Sequence, residues 1–189
     1  NSIINKLLSP FKNKNNHRII SGILILTSIY LVIAFISFFF EWKIDDSVVT
    51  GKSIGEVITN KDVNNKIGGF GAYIANLLIK RWFGITAFLI PLITFSIGMK
   101  IIGFHVVRVR KLIMNSLLAF IIIPIIISHF IGNIVSAGGV GIFTNDLLNS
   151  ALGEIGTTLM LIVFILTYIS ILFDINSSNI LNLIYCLLV

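Results

Sequence analysis

Four stretches of this sequence are long, apolar and free of Asp, Glu, Lys and Arg, and they constrain the fold more than any other feature. They are residues 19–40, 82–99, 112–131 and 155–173. A helix rises 1.5 Å per residue, so about 20 such residues cross the hydrocarbon core of a bilayer. With 56% hydrophobic and only 12% charged residues, the chain is too apolar for a soluble domain, in which about a quarter of the residues are charged. The sequence predicts an all-α membrane protein with four transmembrane helices.

The first apolar stretch does not have the form of a cleaved signal peptide. It runs through ILILTSIYLVIAFISFFF into bulky phenylalanines and offers no small-residue cleavage site. Because the chain begins with Asn1, we expect its natural N-terminus to lie upstream. We therefore divide the chain into a cytoplasmic N-terminal segment (1–18), a four-span membrane domain (19–173) and the start of a linker or a truncated tail (174–189). The single cysteine, Cys186, excludes an intrachain disulfide and a multi-cysteine metal site.

Lysine and arginine are unevenly distributed between the segments that connect the spans. Four of them lie in the N-terminal segment, and the loop between the second and third spans contains Lys100, Arg108, Arg110 and Lys111. The loop between the third and fourth spans has none. By the positive-inside rule, the N-terminus and the second loop are cytoplasmic and the third loop is external. The first loop, residues 41–81, is nearly neutral, and Lys80 and Arg81 at its end work against this orientation.

The net charge of +6 raises the question of nucleic acid binding. In a membrane protein the basic loop HVVRVRKL is more typical of a cytoplasmic anchor beside anionic lipid headgroups. We therefore expect the lipid bilayer as the partner of this loop and no direct nucleic acid contact.

A glycine-rich pattern occurs twice, each time just before a span. GGFGAYIANLLIKRWFG occupies residues 68–84 and GGVGIFTNDLLNSALG occupies residues 138–153. Glycine adopts positive φ without a Cβ clash, so glycines at both ends of a short segment predict tight turns. We assign structural turns to Gly68, Gly69, Gly71, Gly84, Gly138, Gly139, Gly141, Gly153 and Gly156.

Between the turns, apolar residues recur at helical spacing over residues 70–79 and 143–152. These segments are too short to span a bilayer, so we predict two interfacial or re-entrant amphipathic helices at the external face. The chain is then a duplicated hairpin of span, external loop, short helix and span. Equivalent spans run in the same direction, unlike the inverted repeats of many secondary transporters.

The paired GGxG elements, the continuations FGITAFLIP and GEIGTTLMLIVFIL and the basic cytoplasmic loop resemble the N-terminal membrane domain of FtsK/SpoIIIE-type DNA translocases, over roughly residues 18–173. In that family the domain anchors a cytoplasmic hexameric ATPase that pumps chromosomal DNA at the division septum. The resemblance implies a multi-pass protein of the bacterial inner membrane, a homo-oligomer (a hexamer in this family), division-site membrane proteins as partners and a motor outside this chain. The charged stretch 41–66 and the apolar ending ILNLIYCLLV depart from the family pattern.

Few residues suggest chemistry. Gly51, Lys52 and Ser53 end a phosphate-loop pattern, but Asp46 stands where its first glycine is required. His129, beside Ser128 near the external end of the third span, is expected to hydrogen-bond a neighbouring helix or a headgroup. Asp174 is read as a charge at a helix end. We predict no catalytic residue, cofactor or metal ligand and no enzymatic activity in this chain. A small four-helix channel or transporter is the alternative to a membrane anchor.

Overall fold

The computed structural model describes residues 14–104 and 107–173, and all regular secondary structure within them is helical. The elements are α1 (Lys14–Val49), α2 (Ile54–Thr59), α3 (Gly69–Ala75), a π-helix (Asn76–Phe83), a 3-10 helix (Gly84–Phe88), α4 (Leu89–Ile102), α5 (Val109–Ile131) and α6 (Ile134–Leu172). The predicted tail 174–189, with Asp174 and Cys186, lies outside the described residues.

Within residues 14–104 and 107–173, four helical stretches are long and apolar enough to cross a membrane. They are Asn15–Val49, Gly69–Ile102, Val109–Ile131 and Ile134–Leu172. The all-α fold with four transmembrane helices that the sequence predicts is therefore confirmed.

The first helix is longer than the predicted apolar span. It does not end at Phe40 but continues to Val49, so the beginning of the predicted first loop is helical. The reason is packing, because Asp45 and Val49 on this extension are buried. Val49 forms a small apolar cluster with Val57 of α2 and Ala72 of α3.

The main apolar core lies where α1 meets the first short helix. Phe35 and Phe38 of α1 are fully buried there, and the ring of Phe35 contacts that of Phe88 edge to face at 5.4 Å between centroids. Val135, from the second half of the chain, belongs to the same core. The two copies of the repeat therefore share one core.

Small and hydroxyl residues let the first and second spans approach closely. The Ser28 hydroxyl of α1 donates a 2.7 Å hydrogen bond to the Pro91 carbonyl of α4. Nearer the other end, Gly98 faces the Ser21 carbonyl and Ile25 so closely that a Cβ would lie 3.0 Å from Ile25 Cγ1. Close backbone approach at small residues is a common way for helices to associate in a bilayer, where lipid tails are as apolar as leucine.

The two short helices differ in their internal geometry. The first changes from α-helix to π-helix at Asn76, whereas the segment 139–152 of α6 is α-helical throughout. The spacing between the flanking glycines explains the difference, since 68–84 is one residue longer than 138–153. A single inserted residue inside a helix is commonly accommodated as a π-turn.

The second short helix turns its large apolar residues away from the protein. Phe143 is 71% exposed and Leu147 is 58% exposed, while Gly141 and Asn145 are buried against the neighbouring helices. This arrangement suits a helix with lipid along one side.

Candidate functional site

Four glycines that bound the short helices have backbone conformations that are essentially restricted to glycine. Gly68 (φ 81°, ψ −170°) and Gly138 (φ 69°, ψ 165°) precede the two short helices. Gly84 (φ 59°, ψ −141°) and Gly153 (φ 71°, ψ 167°) follow them. Non-glycine residues held in this region are strained by about 1–3 kcal/mol. The two copies thus repeat the same pair of turns.

The other five predicted turn glycines are not in turns. Gly69, Gly71, Gly139, Gly141 and Gly156 lie within helices, and close approach is the reason for glycine at most of them. A Cβ on Gly139 would overlap the Arg81 carbonyl oxygen, and one on Gly141 would overlap that of Pro124. A Cβ on Gly69 would overlap the Val57 carbonyl oxygen. Sequence alone does not separate these packing glycines from turn glycines.

The turn that ends the first short helix crosses the turn that begins the second. A Cβ on Gly84 would overlap the backbone of Ser136 and Ala137, and one on Gly138 would overlap the backbone of Trp82 and Gly84 itself. Both glycines are buried. This Gly84–Gly138 crossing joins the two copies backbone to backbone.

A polar cluster joins the end of α1 to the first short helix. Asp46 forms an ion pair with Lys80 and accepts hydrogen bonds from Asn76 Nδ2 (3.1 Å) and the Thr50 hydroxyl (2.7 Å). Lys80 is one of the two cations that opposed the predicted orientation. Its charge is compensated within the protein, so that conflict is reduced.

His129 links α5 to two parts of α6. Its Nδ1 lies 3.0 Å from Asn145 Oδ1 and its Nε2 lies 2.8 Å from the Thr158 hydroxyl. The Thr158 hydroxyl also donates to the Glu154 carbonyl at 2.8 Å. These contacts span the Gly153 turn, because Asn145 precedes it and Thr158 follows it. The expected hydrogen bond from His129 to a neighbouring helix is confirmed, and Ser128 beside it is buried.

The Gly51-Lys52-Ser53 triplet does not form a phosphate loop. Gly51 has positive φ in the turn after α1, and Ser53 is the N-cap of α2. The Ser53 backbone N–H and hydroxyl both donate to Glu56 Oε2, at 2.7 and 2.9 Å. These hydrogen bonds hold the pKa of the Glu56 carboxyl below its ordinary value. The triplet thus starts a short helix.

The predicted basic anchor lies at one end of the bundle. Lys100, Arg108 and Arg110 are exposed and Lys111 is half-buried. His17 and Ile20 of α1 line one cavity together with Lys100 and Ile101 of α4. The start of α1 and the connection after α4 therefore share an end, as two segments on the same side of a membrane must.

No group of three His, Cys, Asp or Glu side chains within residues 14–104 and 107–173 is placed to hold a metal ion. The arrangement built from the described residues is one of helix packing and backbone crossings.

Four membrane-length helices, arranged as two copies of one glycine-bounded unit, define a helical multi-pass membrane domain. Residues 13–184 match the family described as the 4TM region of DNA translocase FtsK/SpoIIIE, and the chain belongs to that family. This region is the membrane domain of such translocases and not the ATPase motor. No curated protein and no solved structure matches the chain.

Proposed function

We propose that this chain is the membrane anchor and assembly domain of a cell-division DNA translocase that acts in chromosome segregation. The observation that carries this proposal is the family match over residues 13–184. In this function the chain itself performs no turnover. It holds a cytoplasmic motor at the inner membrane and raises the local concentration of motor subunits, an effect that tethering alone can make large.

The contacts of the polar side chains support a structural function. The hydroxyl of Ser28 is bonded to the backbone of another helix, and His129 is bonded to Asn145 and Thr158. A transport pathway usually needs polar groups that face a cavity at mid-membrane. These groups are instead bonded to another helix, and the cavity that Ser28 lines is otherwise lined by apolar residues such as Val32 and Phe88.

The distribution of charge supports a cytoplasmic N-terminus. Arg18 at the start of α1 and the exposed basic residues Lys100, Arg108 and Arg110 flank the same end of the bundle. The positive-inside rule assigns that end to the cytoplasm. The short helices then lie at the external face, and the motor would follow on the cytoplasmic side. Homo-oligomerisation and contacts with division-site membrane proteins belong to the same proposal.

The experiment compares three forms of the full-length translocase fused to a fluorescent reporter. One is the natural protein, one lacks this region, and one carries in its place an unrelated four-span membrane protein of the same orientation. We expect septal fluorescence only for the natural protein. Septal fluorescence with the unrelated spans would show that tethering without this sequence suffices, and the assembly function assigned here would be wrong.

A further inference from the structure

The crossing between the two copies uses only half of the turns that the repeat provides. Gly84 of the first copy and Gly138 of the second are buried against each other. Their counterparts, Gly153 and Gly68, lie in the same positive-φ region that only glycine adopts readily, at φ 71° and 81°. Both are exposed, and a Cβ on either would meet nothing within 4 Å. One chain thus has one pair of turns that cross each other and a second, unused pair that crosses nothing within the described residues.

The turn at Gly153 is exposed, whereas Gly84 and the two residues at positions 86 and 87 are buried. Thr86 and Ala87, just after Gly84, are 5% and 0% exposed. Ile155, at the position equivalent to Thr86, is 79% exposed. Ala87 packs in the core with α1 as well as with Val135 of the second copy. Gly84 itself is covered by the backbone of Ser136 and Ala137 from the second copy, and within the described chain Gly153 has no such cover.

We propose that the Gly153 turn of one chain docks on the Gly68 turn of a second chain and repeats the Gly84–Gly138 crossing between molecules. Such a contact is head to tail, because different surfaces of the two chains meet. A head-to-tail contact closes into a ring when its rotation permits and otherwise extends as an open array. The inference rests on the proposed assembly function and assigns the surface by which copies assemble.

Charge complementarity favours a second molecule of this protein over lipid at the Gly153 turn. Within the chain, the Ser136 carbonyl lies against Gly84. The position equivalent to Ser136 is Lys66, two residues before Gly68, and the residue that follows Gly153 is Glu154. Both side chains are exposed. The intermolecular crossing would therefore place a lysine of one copy beside a glutamate of the next, where the internal crossing has Ser136 and Ile85.

The helix α2 acts as a cap on the Gly68 side. The Val57 carbonyl of α2 lies against Gly69 as the Arg81 carbonyl lies against Gly139. The long first loop thus covers part of the surface at Gly69 on which a second molecule would dock. Capping segments end a repeat array in a similar way. Of the α2 residues only Val57 is buried, so few contacts hold the cap. A docking copy would displace α2 from Gly69.

Cysteine cross-linking in membranes tests the contact in the full-length protein, with Cys186 replaced by serine. Two differently tagged forms, Lys66→Cys and Glu154→Cys, are expressed together and treated with a short bifunctional maleimide. We expect a mixed-tag product severalfold more abundant than either same-tag product. Ile85→Cys with Ser136→Cys in one chain is the matched control, because these positions flank the internal crossing and report both folding and reagent geometry.

Cross-linking and septal localisation are independent measurements, because the cross-linked products are detected in membranes wherever the protein lies in the cell. If the control pair links but Lys66→Cys and Glu154→Cys do not, the docking is wrong even when septal localisation is normal. Predominant same-tag products would indicate a two-fold contact and would also overturn it. Lipid or another protein at the Gly153 turn gives no mixed-tag product.

Weakening the cap provides a second measurement. Val57→Ser removes the one buried apolar side chain of α2, so we expect it to raise the mixed-tag yield severalfold while the Ile85–Ser136 control stays unchanged. Ile58→Ser, at the exposed neighbouring position, should leave the yield as it is. A lower yield with Val57→Ser and an intact control would make α2 a part of the interface and would contradict the displacement step.

Discussion

Gly84 and Gly138 touch backbone to backbone although they belong to different copies of the repeat, and neither has room for a methyl group. Both also have positive φ. Steric exclusion and backbone strain therefore act together at Gly84 and Gly138. Within one chain, only backbone strain acts at Gly68 and Gly153.

Gly84→Ala should destabilise the protein more than Gly153→Ala. Both substitutions place a Cβ in a backbone region that costs about 1–3 kcal/mol, but only the Cβ on Gly84 would overlap the Ser136 and Ala137 backbone. Thermal unfolding in a detergent that keeps the protein monomeric measures the difference in stability between the two variants. Equal losses for the two variants would show that the crossing contributes nothing beyond strain.

Thr158→Val should lower stability by about 1–3 kcal/mol, because the substitution leaves a ring nitrogen of His129 without its partner. Thr167→Val is the matched control. Its hydroxyl donates to the Val163 carbonyl one turn earlier, as that of Thr158 donates to Glu154, and its side chain is exposed. Unfolding midpoints that fall equally for both variants would assign the loss to the threonine-to-carbonyl bond and not to His129.

Lys80→Met should reduce stability by up to about 1 kcal/mol, the usual worth of a partly exposed ion pair, because it removes the partner of Asp46. The neighbouring exposed residue gives the control Arg81→Met. The difference between the two variants should shrink as salt is added, since screening weakens surface pairs. A larger effect at Arg81 than at Lys80 would contradict the assignment.

The cap helix α2 should loosen in acid. Hydrogen bonds from Ser53 depress the folded-state pKa of Glu56. The Glu56 carboxylate therefore stabilises α2 at pH values above the unfolded-state pKa of this group. This stabilisation is lost as pH falls through the folded-state pKa. Hydrogen exchange over residues 54–59, corrected for intrinsic rates, should therefore accelerate below the ordinary glutamate range. Glu56→Gln should abolish this dependence and Asp62→Asn should retain it. A pH profile unchanged by Glu56→Gln would exclude the capping box as its source.

Cysteine labelling should place the short helices outside. The two sites are Lys61→Cys, in the exposed connection that leads to the first short helix, and Asp146→Cys, at an exposed position of the second short helix. Both should react with an impermeant maleimide in intact cells, whereas Arg108→Cys should react only after permeabilisation. The reverse pattern would invert the orientation.

Hydropathy and glycine spacing were sufficient to predict four spans and a duplicated unit. A span must contain a long charge-free run to cross the bilayer, and a turn with strained backbone must contain glycine. Both features can therefore be recognised in the sequence. The continuation of α1 to Val49 was missed because Asp45 and Asp46 look like loop residues. Their partners, Asn64 and Lys80, are brought close only by the fold.

The contacts between the two copies of the repeat could not be predicted from the sequence, for the same reason. Gly84 and Gly138 are equally compatible with a free turn and with a crossing, and only packing decides. His129 shows an intermediate case. Its depth in the third span called for a hydrogen bond, but Asn145 and Thr158 could be named only from the structure.

The π-helix at Asn76–Phe83 gives this repeat a tolerance to insertions and deletions. An extra residue in an α-helix would rotate everything beyond it by about a quarter of a turn, and the Gly84 turn would then miss its partner. Widening one turn absorbs the residue locally and leaves both flanking turns aligned. Two copies that differ in length by one residue can therefore still form the backbone crossing between them.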